Sequence, residues 1–149
     1  MPETAAAQLD GFIAKFDPAM AKLIRLCRAA MRRRFPTANE LVYDNYNFLV
    51  IGYGPTETPS DCLISLAANS TGINLNFMCG SRLPDPLRIL QGNGTQNRFV
   101  RLDGAAALST HEVQKLLKAA AAEASPPFPK TGRGKLIIRS ISKKQRPRR

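Results

Sequence analysis

Three stretches rich in β-branched and aromatic residues, ELVYDNYNFLVIGYG, DCLISLA and INLNFMC, follow one another with very little between them. Only PTETPS separates the first from the second, and ANSTG the second from the third. A parallel pair needs a crossover of about a dozen residues or more, whereas neighbouring antiparallel strands need only a turn. Spacing this tight predicts an antiparallel meander. A fourth strand, RFVRL, follows a glycine turn, and KLIIRSIS has strand character as well.

Helices are expected on either side of the meander. Thr4 to Phe16 is alanine-rich and is interrupted at Asp17-Pro18, an N-cap residue followed by a proline that suits the first helical position. From there Met20, Leu23, Ile24, Cys27, Ala30 and Met31 recur with the 3.6-residue period, and Lys22, Arg25, Arg28 and Arg32 occupy the other side. Pro36 ends this helix. Pro84 to Leu90 is expected to form one helical turn, and Ser109 with Glu112 makes a capping box ahead of Val113, Leu116, Leu117 and Ala120. The expected class is α+β: an antiparallel sheet of about four to five strands packed against N- and C-terminal helices. With 44% hydrophobic residues the chain can bury one core. Residues 1–125 are taken as the domain, and 126–149 as a Pro-rich connector, SPPFP, and a basic C-terminal tail whose KKQRPRR should be mobile.

Charge divides along the same line. Lys130, Arg133, Lys135, Arg139, Lys143, Lys144, Arg146, Arg148 and Arg149 face no acid between residues 130 and 149, and carry +9 of the net +11. The rest of the chain, with 13 basic and 11 acidic side chains, is nearly neutral, so the basicity is assigned to the tail. In that tail Arg139, Lys143, Lys144, Arg146, Arg148 and Arg149 can neutralise phosphates but have no interleaved aromatics to stack on bases, which would make nucleic-acid binding non-specific. No apolar run approaches the ~18 residues that span a bilayer, and MPETAAAQLDGFIAKF lacks the pattern of a signal peptide. A cytoplasmic protein without a membrane partner is expected.

Metal and catalytic chemistry find little to work with. Cys27, Cys62 and Cys79 lack CxxC spacing and sit among apolar neighbours, which suits small buried thiols. His111 lies in the first turn of a capped helix with no serine or cysteine tied to it. Glu40 and Asp44 are four apart on an extended stretch and share a face, and Glu57 and Asp61 flank a loop; both pairs could ligate a hard cation, or simply be solvated.

Strand alternation gives a more specific arrangement. Asn74 and Asn76 fall opposite Ile73, Leu75, Phe77 and Cys79, and Asn45 and Asn47 fall opposite Tyr46, Phe48 and Val50. The four amides would share one face, either the solvent side of a one-sided sheet or the floor of a cleft for a neutral polar ligand. In LQGNGTQNRFVRL, Gly92 and Gly94 either turn the chain into a strand or form an anion nest with Arg98 supplying charge.

The ordered set of helix, ANELVYDNYNFLVIGYGP, DCLISLAANSTGINLNFMCG, LQGNGTQNRFVRL and terminal helix resembles the YdhG-like domain of unknown function 1801 family over roughly residues 17 to 124. The resemblance implies a small α+β domain with an antiparallel sheet, and some members have been proposed to act as frataxin-like iron chaperones. The family's acid before the first strand matches Glu40, and its glycine-turn pattern, GxGKxxRHIR, matches Gly92, Gly94, Arg98 and Arg101. The pattern's lysine is Thr95 here and its histidine Phe99, and the proline usual in the first strand is absent around Asn45, Tyr46 and Asn47.

Three functions follow as expectations. The leading one is a non-enzymatic binding protein whose ligand, small and polar or anionic, meets Asn45, Asn47, Asn74 and Asn76, with Arg98 and Arg101 at the rim. The alternatives are a nucleic-acid-associated protein acting through the tail, and a frataxin-like iron carrier using Glu40 and Asp44. Cofactor identity stays open. An exposed KLIIRSIS edge could also pair with a second copy in a homodimer.

Overall fold

A computed structural model describes residues 3–149. Two helices, α1 (Ala5–Ile13) and α2 (Pro18–Arg34), precede five strands: β1 (Asn39–Asp44), β2 (Leu49–Gly54), β3 (Ile64–Asn69), β4 (Gly72–Phe77) and β5 (Arg98–Leu102). Helix α3 (His111–Ala122) then leads back to β6 (Leu136–Ile141). The protein is α+β, with one six-stranded sheet in the order β5-β4-β3-β2-β1-β6. Strands β1 to β5 form the antiparallel meander that the short connections demand, and β6 lies parallel to β1 on its outer side. Among the described residues, no helix is long and apolar enough to cross a membrane.

The sheet has six strands because ELVYDNYNFLVIGYG is a hairpin and not one strand. Asp44, Asn45 and Asn47 supply the polar, turn-forming side chains, and the N–H of Asn45 closes the turn on the Phe48 carbonyl at 2.9 Å. A strand of fifteen residues would also have been far longer than the usual five or six.

All three helices pack on one face of the sheet. Leu9, Phe12 and Ile13 of α1, Ile24, Cys27 and Met31 of α2, and Val113, Leu116 and Leu117 of α3 meet Val42, Ile51, Leu66, Leu75 and Phe77 in one core. Fully burying each large side chain contributes roughly 1.5–3 kcal/mol, so this layer carries the fold. Pro18 opens α2 as its sequence suggests, although Asp17 makes no side-chain capping bond; Arg32, Arg33 and Arg34 complement the helix dipole in the last turn. Helix α3 is capped by Thr110, one residue later than the Ser109 box predicts, its hydroxyl accepting from the Val113 N–H at 3.4 Å. Pro84 to Leu90 is not a helical turn. The Asp85 carboxylate accepts from the N–H groups of Ile89 and Leu90, both at 2.9 Å, and Arg88 takes φ 54°.

The segment expected to trail as a mobile tail belongs to the folded unit. Leu136 and Ile138 pack against the core, and the residues after β6 fold back over the β1–β2 hairpin. Arg148 is 5% exposed, and its Nη2 donates to Asp44 Oδ1 at 3.0 Å and to the Asn45 carbonyl at 2.7 Å. Arg149 donates to the Lys15 and Ala14 carbonyls at the end of α1, and the Arg146 N–H reaches the Tyr46 carbonyl at 2.9 Å. The outer edge of β6 pairs with no strand among the described residues. A bulge at Arg139 and the basic side chains around it are features that discourage edge-to-edge association.

Candidate functional site

The strongest concentration of unspent charge lies where α2 ends, and the sequence reading passed over it by assigning the basicity to the tail. Helix α2 holds Lys22, Arg25, Arg28, Arg32, Arg33 and Arg34 and no acid. Arg28 turns inward. Its Nε and Nη2 donate to Glu40 Oε2 and Oε1 at 3.0 and 2.9 Å, and the Tyr53 hydroxyl donates to Oε2 at 3.0 Å. Burial alone would lower the Arg28 guanidinium, but the bond and charge of Glu40 outweigh it and hold it above its usual value. Burial, then Glu40, push the Tyr53 phenol well above its ordinary range, so it stays a hydrogen-bond donor. With both Glu40 oxygens engaged, the carboxylate is a satisfied floor.

Over that floor opens a cleft of about 360 Å³, lined in part by Arg32, Arg33 and Arg133, with Phe35, Pro36 and Ala38 as its apolar wall. Arg32 approaches Glu40 Oε1 only at 3.7 Å and is 54% exposed. Arg33 and Arg133 form no ion pair among the described residues. Three guanidinium groups from two distant segments therefore share one opening, with a single carboxylate beneath them.

Backbone packing explains how Arg133 reaches this place. The Gly134 N–H donates to the Pro36 carbonyl at 3.3 Å, the Lys135 N–H to Asn39 Oδ1 at 2.8 Å, and the Glu40 N–H to the Lys135 carbonyl at 2.8 Å. A Cβ at position 134 would lie 1.6 Å from the Ala38 carbonyl oxygen, so only glycine lets the two backbones cross. Upstream, Phe128 of the connector stacks on Phe35 with ring centroids 5.3 Å apart.

The sequence-predicted residues are brought together only in part. Asn74, Asn76 and Arg101 share the helix-free face of β4 and β5. Arg101 lies flat across Gly72, donating to the Thr71 carbonyl and, at 3.4 Å, to Asn74 Oδ1, and a Cβ at Gly72 would collide with its guanidinium. Asn45 and Asn47 do not join them, because they sit in the β1–β2 turn, where Asn45 Oδ1 accepts from the Ser140 hydroxyl at 3.2 Å. Arg98 closes its own loop: Nη1 donates to the Gly94 and Asn97 carbonyls at 2.5 and 2.8 Å. Gly92, at φ 112°, packs under the Phe99 ring 3.5 Å from where its Cβ would be. The glycine turn is thus a structural lead-in to β5, with its arginine spent on carbonyls.

Of the tail cations, Arg139, Lys143, Lys144 and Arg146 are exposed, whereas Arg148 is buried in its bond to Asp44 and Arg149 caps α1. Glu40 and Asp44 do share a face, as their spacing predicts, but it faces the helices and each carboxylate meets its own cations: Arg28 for Glu40, Lys15 at 2.6 Å and Arg148 for Asp44. Glu57 reaches Lys135 at 3.5 Å, and Asp61 accepts from the Thr56 hydroxyl at 2.6 Å. Among the described residues, no three histidine, cysteine or acidic side chains gather as a metal site. His111 is exposed at the mouth of a separate, mainly apolar cavity of about 370 Å³ between α3 and residues 84–89.

Comparison with protein-family models, curated proteins and solved structures gives no significant match.

Proposed function

We propose that this chain is a non-enzymatic cytoplasmic binding protein for a small, multiply charged anion, held in the cleft between the end of α2 and residues 133–134. One observation carries the reading: Arg32, Arg33 and Arg133 line an opening whose only carboxylate, Glu40, is already occupied from below by Arg28 and Tyr53. Guanidinium groups present paired donors that match phosphate or carboxylate oxygens, and gathering three of them costs repulsion that a dianion or trianion relieves. The cleft's volume is within the usual range for small-ligand sites. Nothing in the cleft suits proton transfer, which favours binding over catalysis.

This keeps the ligand class expected from the sequence but moves its site away from the asparagines and Arg98. Titration calorimetry with inorganic pyrophosphate tests it. Arg133→Ala is expected to weaken binding tenfold or more, since a hydrogen bond to a charged group contributes about 1.5–3 kcal/mol. Arg98→Ala should leave affinity unchanged. Equal affinities for wild type and Arg133→Ala would remove the cleft from consideration.

A further inference from the structure

Resting on that reading, we infer that the anion the cleft receives is a phosphate of a single-stranded nucleic acid whose backbone continues along the solvent side of α2. Successive positions on that side are Lys22, Arg25, Leu26, Ala29, Arg32 and Arg33, all within about a third of the helix circumference at 3.6 residues per turn. Lys22, Arg25, Leu26, Arg32 and Arg33 are exposed, while Ile24, Cys27 and Met31 are buried on the opposite side. The stripe runs about 16 Å at 1.5 Å per residue and ends in the cleft, which Ala29, Arg32 and Arg33 help to line.

Arg32 approaches Glu40 at 3.7 Å, but the rest of the stripe's charge is uncompensated among the described residues. Lys22, Arg25 and Arg33 make no ion pair among the described residues, and the helix supplies no acid of its own. Complementing the helix dipole accounts for cations in the last turn, but not for Lys22 and Arg25, which lie in its first half. A strip that covers about a third of the helix and leads into a pocket fits one backbone strand, with a phosphate seated at its end. No aromatic side chain lies on the stripe, so bases gain no stacking platform and binding is sequence-independent. The stripe is also separate in space from the exposed tail cations Lys143, Lys144 and Arg146, which lie by the β1–β2 hairpin, the strand end opposite Glu40 and the cleft.

The test is fluorescence anisotropy with a labelled oligouridine 12-mer across a salt series, beside pyrophosphate calorimetry on the same full-length proteins. Each phosphate neutralised on a single strand contributes a slope of about −0.7 in log affinity against log salt. Contacts from Lys22, Arg25, Arg32, Arg33 and Arg133 predict about −3.5 for the wild type, and about −2 for Lys22→Ala/Arg25→Ala, with pyrophosphate affinity unchanged in that variant. Pyrophosphate binding without oligonucleotide binding would overturn the inference and leave the small-anion reading intact. So would a slope that the double variant keeps and Lys143→Ala/Lys144→Ala/Arg146→Ala loses. Oligonucleotide binding that responds to Lys22 and Arg25, with no pyrophosphate binding, would instead remove the cleft while keeping the stripe.

Discussion

Arg148 donates from Nη2 to Asp44 Oδ1 at 3.0 Å across 104 residues of sequence, and both side chains are almost wholly shielded from water. The pair fastens the segment after β6 to the end of β1, with Lys15 reaching the other carboxylate oxygen at 2.6 Å and the Gln145 amide donating to the Asp44 carbonyl at 2.9 Å. Removing Arg148 leaves the buried Asp44 carboxylate with only the part-exposed Lys15 as counter-charge, so Arg148→Ala is expected to destabilise the protein by about 1.5–3 kcal/mol. Replacing both, as Asp44→Leu with Arg148→Met, should recover most of that loss. Urea unfolding followed by circular dichroism measures both; a near-neutral single variant would mean that the pair holds nothing down.

The same carboxylate sets an acid limit on stability. Burial would raise Asp44, but hydrogen bonds from Lys15, Gln145 and Arg148 outweigh it and hold the group below its ordinary value of 3.8. Folded Asp44 therefore binds its proton more weakly than unfolded Asp44. Its contribution is fully present above the unfolded value and is lost as pH falls through the lower folded value. Unfolding midpoints should drop below about pH 4. Asp44→Asn, less stable throughout, should show a shallower decline there; parallel profiles would assign the acid sensitivity to other groups.

Gly134 gives a steric prediction with a built-in control. Gly134→Ala would drive a methyl group into the Ala38 carbonyl, and forcing that crossing apart should cost about 1–3 kcal/mol while displacing Arg133 from the cleft. A Cβ at Gly104 meets nothing within 4 Å on an extended backbone, so Gly104→Ala should be nearly silent. Paired thermal melts and pyrophosphate titrations separate the two; similar behaviour of both variants would contradict the close approach.

Thiol chemistry reports on the core. Burial pushes the Cys27 and Cys62 thiols up to about 11, with Asp61 adding to the effect at Cys62, while Cys79 is only partly buried. Iodoacetamide at pH 8 should label Cys79 first and the other two only on unfolding, because the thiolate is the reactive form. Mass spectrometry of the native protein checks the order, and early modification at Cys27 would place an opening beneath α2.

Much of the architecture was legible because it depends on local pattern. The period of α2, Pro18 at its start and the short links PTETPS and ANSTG fixed helix, boundary and antiparallel order without any long-range information. The hairpin at Asn45 was legible in principle, from clustered turn residues inside an overlong strand, and missing it put Asn45 and Asn47 on the wrong element. The cleft was not legible. Arg32 and Arg133 lie about a hundred residues apart, and nothing in either segment says that Gly134 crosses Ala38 or that β6 returns beside β1. Net charge misled for a similar reason: averaging over the N-terminal 129 residues hid a helix with six cations and no acid behind acids placed elsewhere.

The parallel placement of β6 against β1 has a consequence for synthesis. The meander and its two leading helices can begin to assemble as they leave the ribosome, since β1 to β4 follow one another closely and only residues 78–97 separate β5 from β4. Strand β1 is the exception: its outer partner emerges last, so its hydrogen-bonding edge and the buried acid at its end stay uncovered until residues 136–149 are free. During that interval the nascent chain presents an open strand to its surroundings, and a stall or truncation before β6 would leave it in that aggregation-prone state.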